Sequence, residues 1–399
     1  MIIIWGWIME RNFSEEKAIC THLGDDYDKF LGAVVPPIFQ NSLFVFKSFE
    51  DISRAFSSER EHYLYTRGTN PTAEVFERKL AALENGESCK CFSSGMAAIT
   101  ASIDAFTAQG DHILFVNNIY GPALQYANYI KKYGIDHDVL LQGGIDSIEK
   151  AIKPNTKVLY LESPGTMTFK MLDLPEIAKL SREKGITTII DNTWATPLFQ
   201  KPLDMGIDVV VHSCTKYIGG HSDVVAGAII SSKKIVDKIF YSEYQLHGGS
   251  LGPFEAWALT RGLRTLPIRM EKHEKNALKV AEVLETNEKV SKVNYPALKS
   301  NSCYELGKKQ LKGYSGLLSF EIKSNNFEDV KKVVNSCKLF KIGVSWGGYE
   351  SLILPASHGG DEEILNKKGI SAMLIRISVG LEDADLLIND LDNALKSIG

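Results

Sequence analysis

The sequence predicts a doubly wound α/β fold with a mostly parallel sheet, closed by a smaller C-terminal α+β domain. Three observations carry that expectation. Short apolar runs recur as HILFVN (112–117), VLYLES (158–163), TTIIDN (187–192) and VVVHSC (209–214), and strands buried on both faces read this way. Between them lie segments of helical period, such as Met96, Ile99, Ile103 and Phe106, or Leu174, Ile177, Ala178 and Leu180, which suit crossover helices on the sheet. After about residue 257 the texture changes to long charged helical stretches.

Residues 1–63 form the first unit, an N-terminal arm. It opens on the apolar run MIIIWGWIM, too short to span a bilayer and without the basic flank and small-residue cleavage site of an export signal. Because Met9 leads directly into ordinary soluble sequence, it is the expected translation start. The stretch VVPPIFQNSLF combines Pro and Asn punctuation with apolar residues, as an arm lying on another domain or subunit would.

The α/β domain is expected over 64–257. Its first helix has Asn70 as N-cap, Pro71 at the first helical position and Phe76, Leu80 and Leu83 on one face, and it ends near Asn85-Gly86. The C-terminal domain, 258–399, combines the helical stretch MEKHEKNALKVAEVLE with the strand-like runs GLLSFEI and AMLIRISVG.

The 399 residues exceed what one core usually organises, and 44% hydrophobic with 24% charged residues is ordinary for globular proteins. A net charge of −4 without a Lys/Arg stripe argues against nucleic acid. The six cysteines are scattered, and Cys89-Lys90-Cys91 lacks a second ligand pair at zinc spacing. Reduced thiols in a cytoplasmic protein, with no metal and no membrane partner, are the expectation.

Ligands of an open parallel sheet sit beyond the carboxyl ends of its strands. Three such ends carry unusual residues: Ser163-Pro164-Gly165, Asp191-Asn192 and Cys214-Thr215-Lys216-Tyr217. Asp191 and Lys216 would meet at one edge, a carboxylate beside an amine. That is the pair pyridoxal phosphate needs, the amine for a Schiff base and the carboxylate to keep the pyridine nitrogen protonated. Alone, such a pair is more often a structural ion pair or a pair of solvated charges. Ser93-Ser94-Gly95-Met96 stands where a helix would begin and present free N–H groups to a phosphate, and Ser213 and Thr215 could add hydroxyls. Gly95 is also explained by a tight turn.

Taken together, Tyr65-Thr-Arg67-Gly-Thr-Asn-Pro-Thr72, Ser94-Gly95-Met96, Asp191-Asn-Thr193, Ser213-Cys-Thr-Lys216-Tyr217, Gly220-His-Ser-Asp223 and Ile375-Arg376-Ile-Ser-Val-Gly-Leu-Glu382 resemble the Cys/Met-metabolism family of pyridoxal-phosphate-dependent transsulfuration enzymes, over nearly the whole chain. The resemblance implies fold type I and pyridoxal 5'-phosphate as cofactor. It implies Lys216 as the Schiff-base lysine, Asp191 as the pyridinium partner and Tyr120 as the ring stacked on the cofactor and a catalytic group. Gly95, Met96, Ser213 and Thr215 would hold the phosphate, joined by Tyr65 and Arg67 from a neighbouring subunit. Arg376 would grip the substrate α-carboxylate, a task suited to its bidentate guanidinium, with Ser345 and Trp346 beside it. A homotetramer of dimers that share active sites is implied, as is a small sulfur amino acid as substrate.

Within the family, Glu162-Ser-Pro-Gly165, Tyr120-Gly-Pro122 and Ser345-Trp-Gly-Gly-Tyr-Glu-Ser-Leu352 look most like bacterial cystathionine β-lyases. Methionine γ-lyases typically have Cys where Pro122 stands, and cystathionine-handling γ-enzymes typically have Glu at the place of Val344. The Tyr65–Thr72 stretch looks closer to the γ-enzymes. A nicotinamide dehydrogenase is excluded because no Gly-x-Gly-x-x-Gly follows the first strand. Intact Lys216, Asp191, Tyr120 and Arg376 argue against a regulator that binds the cofactor without turnover.

Overall fold

A computed structural model describes residues 13–141 and 143–398, so the apolar run at 1–9 and the choice of start codon lie outside the described residues. Among the described residues, twelve strands form two sheets. The larger contains β1 (Ser88–Phe92), β2 (His112–Val116), β3 (Asp136–Leu140), β4 (Thr156–Glu162), β5 (Thr187–Asp191), β6 (Val209–Ser213) and β7 (Gly227–Ser231), in the order β1-β7-β6-β5-β4-β2-β3. Pairs β2–β3, β2–β4, β4–β5 and β5–β6 are parallel, while β7 runs antiparallel to β1 and β6. The four apolar runs are β2, β4, β5 and β6. The edge strand β3 escaped the apolar criterion because its DHDVL is largely exposed.

Both faces of this sheet are covered, which is why its strands read as continuous apolar runs. Ile189, Val209 and Val211 enter one core with Ile99 and Ile103 of the helix Gly95–Asp104. Ile190 and Val210 enter the opposite core with Phe76, Leu80 and Leu83 of the helix Pro71–Glu84 and with Leu174, Ile177, Ala178 and Leu180 of the helix Leu174–Lys184. At about 1.5–3 kcal/mol for each fully buried large apolar side chain, these faces fix the alternation of every strand. The helix Pro71–Glu84 starts and stops as its sequence requires. Asn70 accepts a hydrogen bond from Thr72 N, and Asn85 closes it with a left-handed φ of 62°.

The smaller sheet contains β8 (Val290–Asn294), β9 (Leu317–Ile322), β10 (Lys341–Ile342), β11 (Leu352–Pro355) and β12 (Leu374–Ser378), ordered β10-β11-β12-β9-β8. The sequence marked only β9 and β12, which lie side by side in its middle; β8, β10 and β11 are shorter or more polar. The expected boundary at 257/258 falls inside the helix Pro253–Thr286, which packs on the helix Pro71–Glu84 and also on β8 and β9. One helix thus belongs to both halves. Trp194 adds a second tie, its indole N–H donating to Leu317 O at 3.0 Å.

The arm, aperiodic in sequence, contains two short helices, Phe13–His22 and Phe49–Ser57, the second capped by the Ser48 side chain on Asp51 N. Much of its apolar surface stays exposed, with Leu31, Val34, Val45, Phe49 and Phe56 all facing solvent. No described helix is long and apolar enough to cross a membrane.

Candidate active site

The carboxyl ends of β4, β5 and β6 open into a cavity of about 240 Å³, closed on its far side by the smaller sheet. Its lining includes Gly95, Met96, Tyr120, Asp191, Ser213, Thr215, Lys216, Trp346 and Arg376, so residues spread over most of the chain converge there. Parallel pairing explains the core of the arrangement, since Glu162 stands opposite Asp191, and Asp191 opposite Val211, on neighbouring strands. A wider cleft of about 510 Å³ lies elsewhere, between Arg60, Glu74, Arg78 and Asp237. It is away from the strand ends and gathers none of the predicted site residues.

Lys216 lies in the turn after β6, held by its own N–H on Ser213 O at 3.2 Å and by Gly220 N on Lys216 O at 2.7 Å. Its ammonium donates to Ser345 Oγ at 2.7 Å and sits 5.5 Å from the centre of the Trp346 ring. Burial, reinforced by the positive charge of Arg376 and opposed by Asp191, pushes its pKa down to about 8. An amine so placed is partly neutral near physiological pH and able to attack a carbonyl. Arg376 on β12 donates to Ser345 O at 3.1 Å, and burial pushes its pKa down to about 10.

Asp191 ends β5. Its carboxylate accepts from Thr193 N at 3.0 Å and from the Thr193 hydroxyl, and Thr193 Oγ1 in turn accepts from Ser213 N at 2.8 Å. Burial raises its pKa, while the Thr193 bonds and the charges of His212 and Lys216 oppose that rise. Glu162 is a neighbouring half-buried carboxyl, raised well above its usual range by desolvation and by Asp191. It accepts the backbone N–H of Tyr120 at 2.8 Å and thereby sets the start of the helix Gly121–Ile130. Burial and the charges of Asp191 and Glu162 raise the Tyr120 phenol.

The helix Gly95–Asp104 begins at the cavity with Ser94 as N-cap, its hydroxyl accepting Ala97 N at 3.0 Å. The preceding N–H groups, of Gly95 and Met96, belong to the first turn and have no intrahelical acceptor. A Cβ at Gly95 would stand 2.9 Å from Ser213 Cβ and Oγ, so only glycine lets the two elements meet here. The Thr215 hydroxyl faces Ala226, donating to its carbonyl at 3.2 Å and accepting its N–H at 3.0 Å.

Tyr65 and Arg67 do not line this cavity. Both are exposed, with the Arg67 guanidinium 5.7 Å from the centre of the Tyr65 ring and its Nε donating to Gln245 Oε1 at 3.1 Å. Sequence reading overlooked Glu162, Thr193 and Trp194 as individual site residues. Glu162 and Thr193 had a usable signal, because both stand at the ends of apolar strand runs.

The fit to pyridoxal phosphate follows from the donor set. A part-buried amine of depressed pKa, a half-buried carboxylate on the next strand and the N–H groups of a glycine-opened helix share one cavity. The whole-chain comparisons agree. The family model for the Cys/Met metabolism PLP-dependent enzyme matches residues 17–396. The L-methionine gamma-lyase of Treponema denticola is 42% identical over 385 residues, covering 94% of this chain and 96% of that protein. The cystathionine beta-lyase of Lactococcus lactis is 39% identical over 386 residues, covering 95% and 98%. Among solved structures, metB from Corynebacterium glutamicum superposes with a TM-score of 0.89 at 32% identity, covering 96% and 98%. A putative O-acetylhomoserine (thiol)-lyase from Campylobacter jejuni, carrying a pyridoxyl-lysine monophosphate, gives 0.90 at 32%, covering 96% and 99%. With the fold, the donor set and the family match in agreement, the chain belongs to the Cys/Met metabolism family of PLP-dependent enzymes and is a carbon–sulfur lyase of fold type I.

Proposed function

We propose that the chain is a cystathionine β-lyase, cleaving L-cystathionine to homocysteine, pyruvate and ammonia, with cysteine desulfhydrase activity on the side. The observation that carries the catalytic part is the 2.7 Å contact of Lys216 Nζ with Ser345 Oγ, in a cavity that also holds Asp191 and Arg376.

When bound, pyridoxal phosphate supplies an aldehyde for amines to condense with and a ring that withdraws electrons from the substrate α-carbon. The protein supplies the rest. Lys216 is the amine that holds the cofactor and, released by substrate, the base that takes the α-proton. Asp191, kept anionic by Thr193, retains the proton on the pyridine nitrogen. Gly95, Met96, Ser213 and Thr215 would hold the phosphate, joined by Tyr65 and Arg67 from a second copy of the chain. Arg376, steered by the Ser345 carbonyl, receives the substrate α-carboxylate, and Trp346 closes the cavity beside it. Tyr120 would cover the cofactor's ring and, with Lys216, return a proton to the departing sulfur.

The β-lyase reading rests on the Ser345–Leu352 and Glu162–Gly165 stretches and on Pro122 and Val344, which put neither a thiol nor a carboxylate where the γ-enzymes typically have one. A second reading, methionine γ-lyase, is favoured by the 42% identity to the Treponema denticola enzyme. Incubating the holoenzyme with cystathionine, cysteine and methionine side by side distinguishes them. Pyruvate with homocysteine from cystathionine, and little turnover of methionine, is the expected result. 2-Oxobutyrate as the main keto acid overturns the β assignment.

A further inference from the structure

Behind the cavity, on the opposite face of the sheet, lies a polar trio fully removed from solvent. Strand alternation sends Asp191 and Ser213 toward the cavity, and it sends their neighbours Asn192 and His212 the other way. There His212 Nε2 meets Glu84 Oε1 at 2.5 Å, and Asn192 Nδ2 donates to the same oxygen at 2.8 Å. Glu84 is the last residue of the helix Pro71–Glu84; it and His212 have no exposure, and Asn192 has 1%. Glu84 Oε2, His212 Nδ1 and Asn192 Oδ1 have no hydrogen-bond partner among the described residues.

A carboxylate so deeply buried requires a cationic partner, because an isolated buried charge is prohibitive. His212 is the partner within reach of Glu84, its Nε2 2.5 Å from the Glu84 Oε1. Such a pair, with three unsatisfied atoms around it, contributes little to stability compared with apolar packing of the same volume. Its position suggests another use. Asn192 and His212 are the chain neighbours of Asp191 and Ser213, and the charge of His212 acts on Asp191 through the sheet. Lys216, the other cation acting on Asp191, is the amine committed to the cofactor in the reading above.

We propose that Glu84 and His212 form a positioning pair that holds a positive charge behind Asp191 and so keeps that carboxylate ionised against the cofactor's ring nitrogen. Glu84 acts through His212, and neither touches substrate. The inference rests on Asp191 being the ring-nitrogen partner.

The test uses holoenzyme reconstituted with pyridoxal phosphate labelled with ¹⁵N at the ring, in the parent, Asp191→Asn, Glu84→Gln and His212→Asn proteins. Glu84→Gln keeps the shape and an acceptor for Asn192, so it carries the test if His212→Asn does not fold. In both variants of the pair the ring-nitrogen resonance is expected to move toward the unprotonated position. The turnover number should fall about tenfold while KM stays within about twofold. A resonance at the parent position in Glu84→Gln, with Asp191→Asn displaced, overturns the inference and leaves the cofactor reading standing. A resonance undisturbed in Asp191→Asn overturns that reading and the inference with it.

Discussion

Gly347 lies against the backbone of Lys216. A Cβ on it would come within 3.1 Å of both Lys216 C and Lys216 Cβ and within 2.8 Å of Tyr217 N, and its φ of +83° belongs to the left-handed region. The loop that delivers Ser345 and Trp346 to the amine is therefore seated by a residue without a side chain. Gly347→Ala should cost about 1–2 kcal/mol in backbone strain and displaced contacts. Displacing Ser345 from Lys216 should lower kcat/KM at least about tenfold. Calorimetry and steady-state kinetics on the holoenzyme check both effects, and an unchanged kcat/KM would separate the loop from the chemistry.

Cofactor capture by the apoprotein should follow the Lys216 amine. Since burial and Arg376 bring its pKa down to about 8, the neutral form grows as pH rises toward that value. The capture rate should then climb about tenfold per unit below pH 8 and level off above it. Arg376→Gln removes a lowering influence, so the midpoint should shift to higher pH. Stopped-flow absorbance of pyridoxal phosphate binding across pH 6–10 measures it.

Gly95→Ala should weaken cofactor binding without abolishing the fold. The added methyl would meet Ser213 Cβ and Oγ at 2.9 Å and push the helix N-terminus off the phosphate. A rise of at least about tenfold in the dissociation constant, roughly 1.4 kcal/mol, is expected. Fluorescence titration of the apoprotein provides the value.

Tyr65 and Arg67, exposed and not among the residues lining their own cavity, should act in another copy's site. Lys216→Ala and Arg67→Ala proteins should each be nearly inactive alone. Unfolded and refolded together at equal amounts, they should recover about one quarter of parent activity, because half the dimers are mixed and each mixed dimer has one intact site. No recovery, with mixed dimers demonstrated by mass spectrometry, would refute shared sites.

Local sequence signals determined much of this protein. Asn70, Pro71 and Asn85 delimit a helix through bonds within a few residues, and β2, β4, β5 and β6 are readable because a strand buried on both faces must be apolar throughout. The strand-end rule then singled out Asp191 and Lys216, and the motif set supplied Gly95, Met96, Tyr120 and Arg376. β3, β8 and β10 were not readable, being exposed edges whose pairing owes little to their own side chains. Nor was the boundary between the halves, because the helix Pro253–Thr286 draws its stability from both.

Only the tertiary structure decided that Ser345 Oγ meets Lys216 Nζ across 129 positions of chain, that Glu162 anchors Tyr120, and that Glu84 closes on His212 behind Asp191. Periodicity and caps report on neighbours one or two turns away. Contacts between distant segments depend on how two sheets and a shared helix pack, and the free energy that selects that packing is summed over the whole core rather than written at any one position.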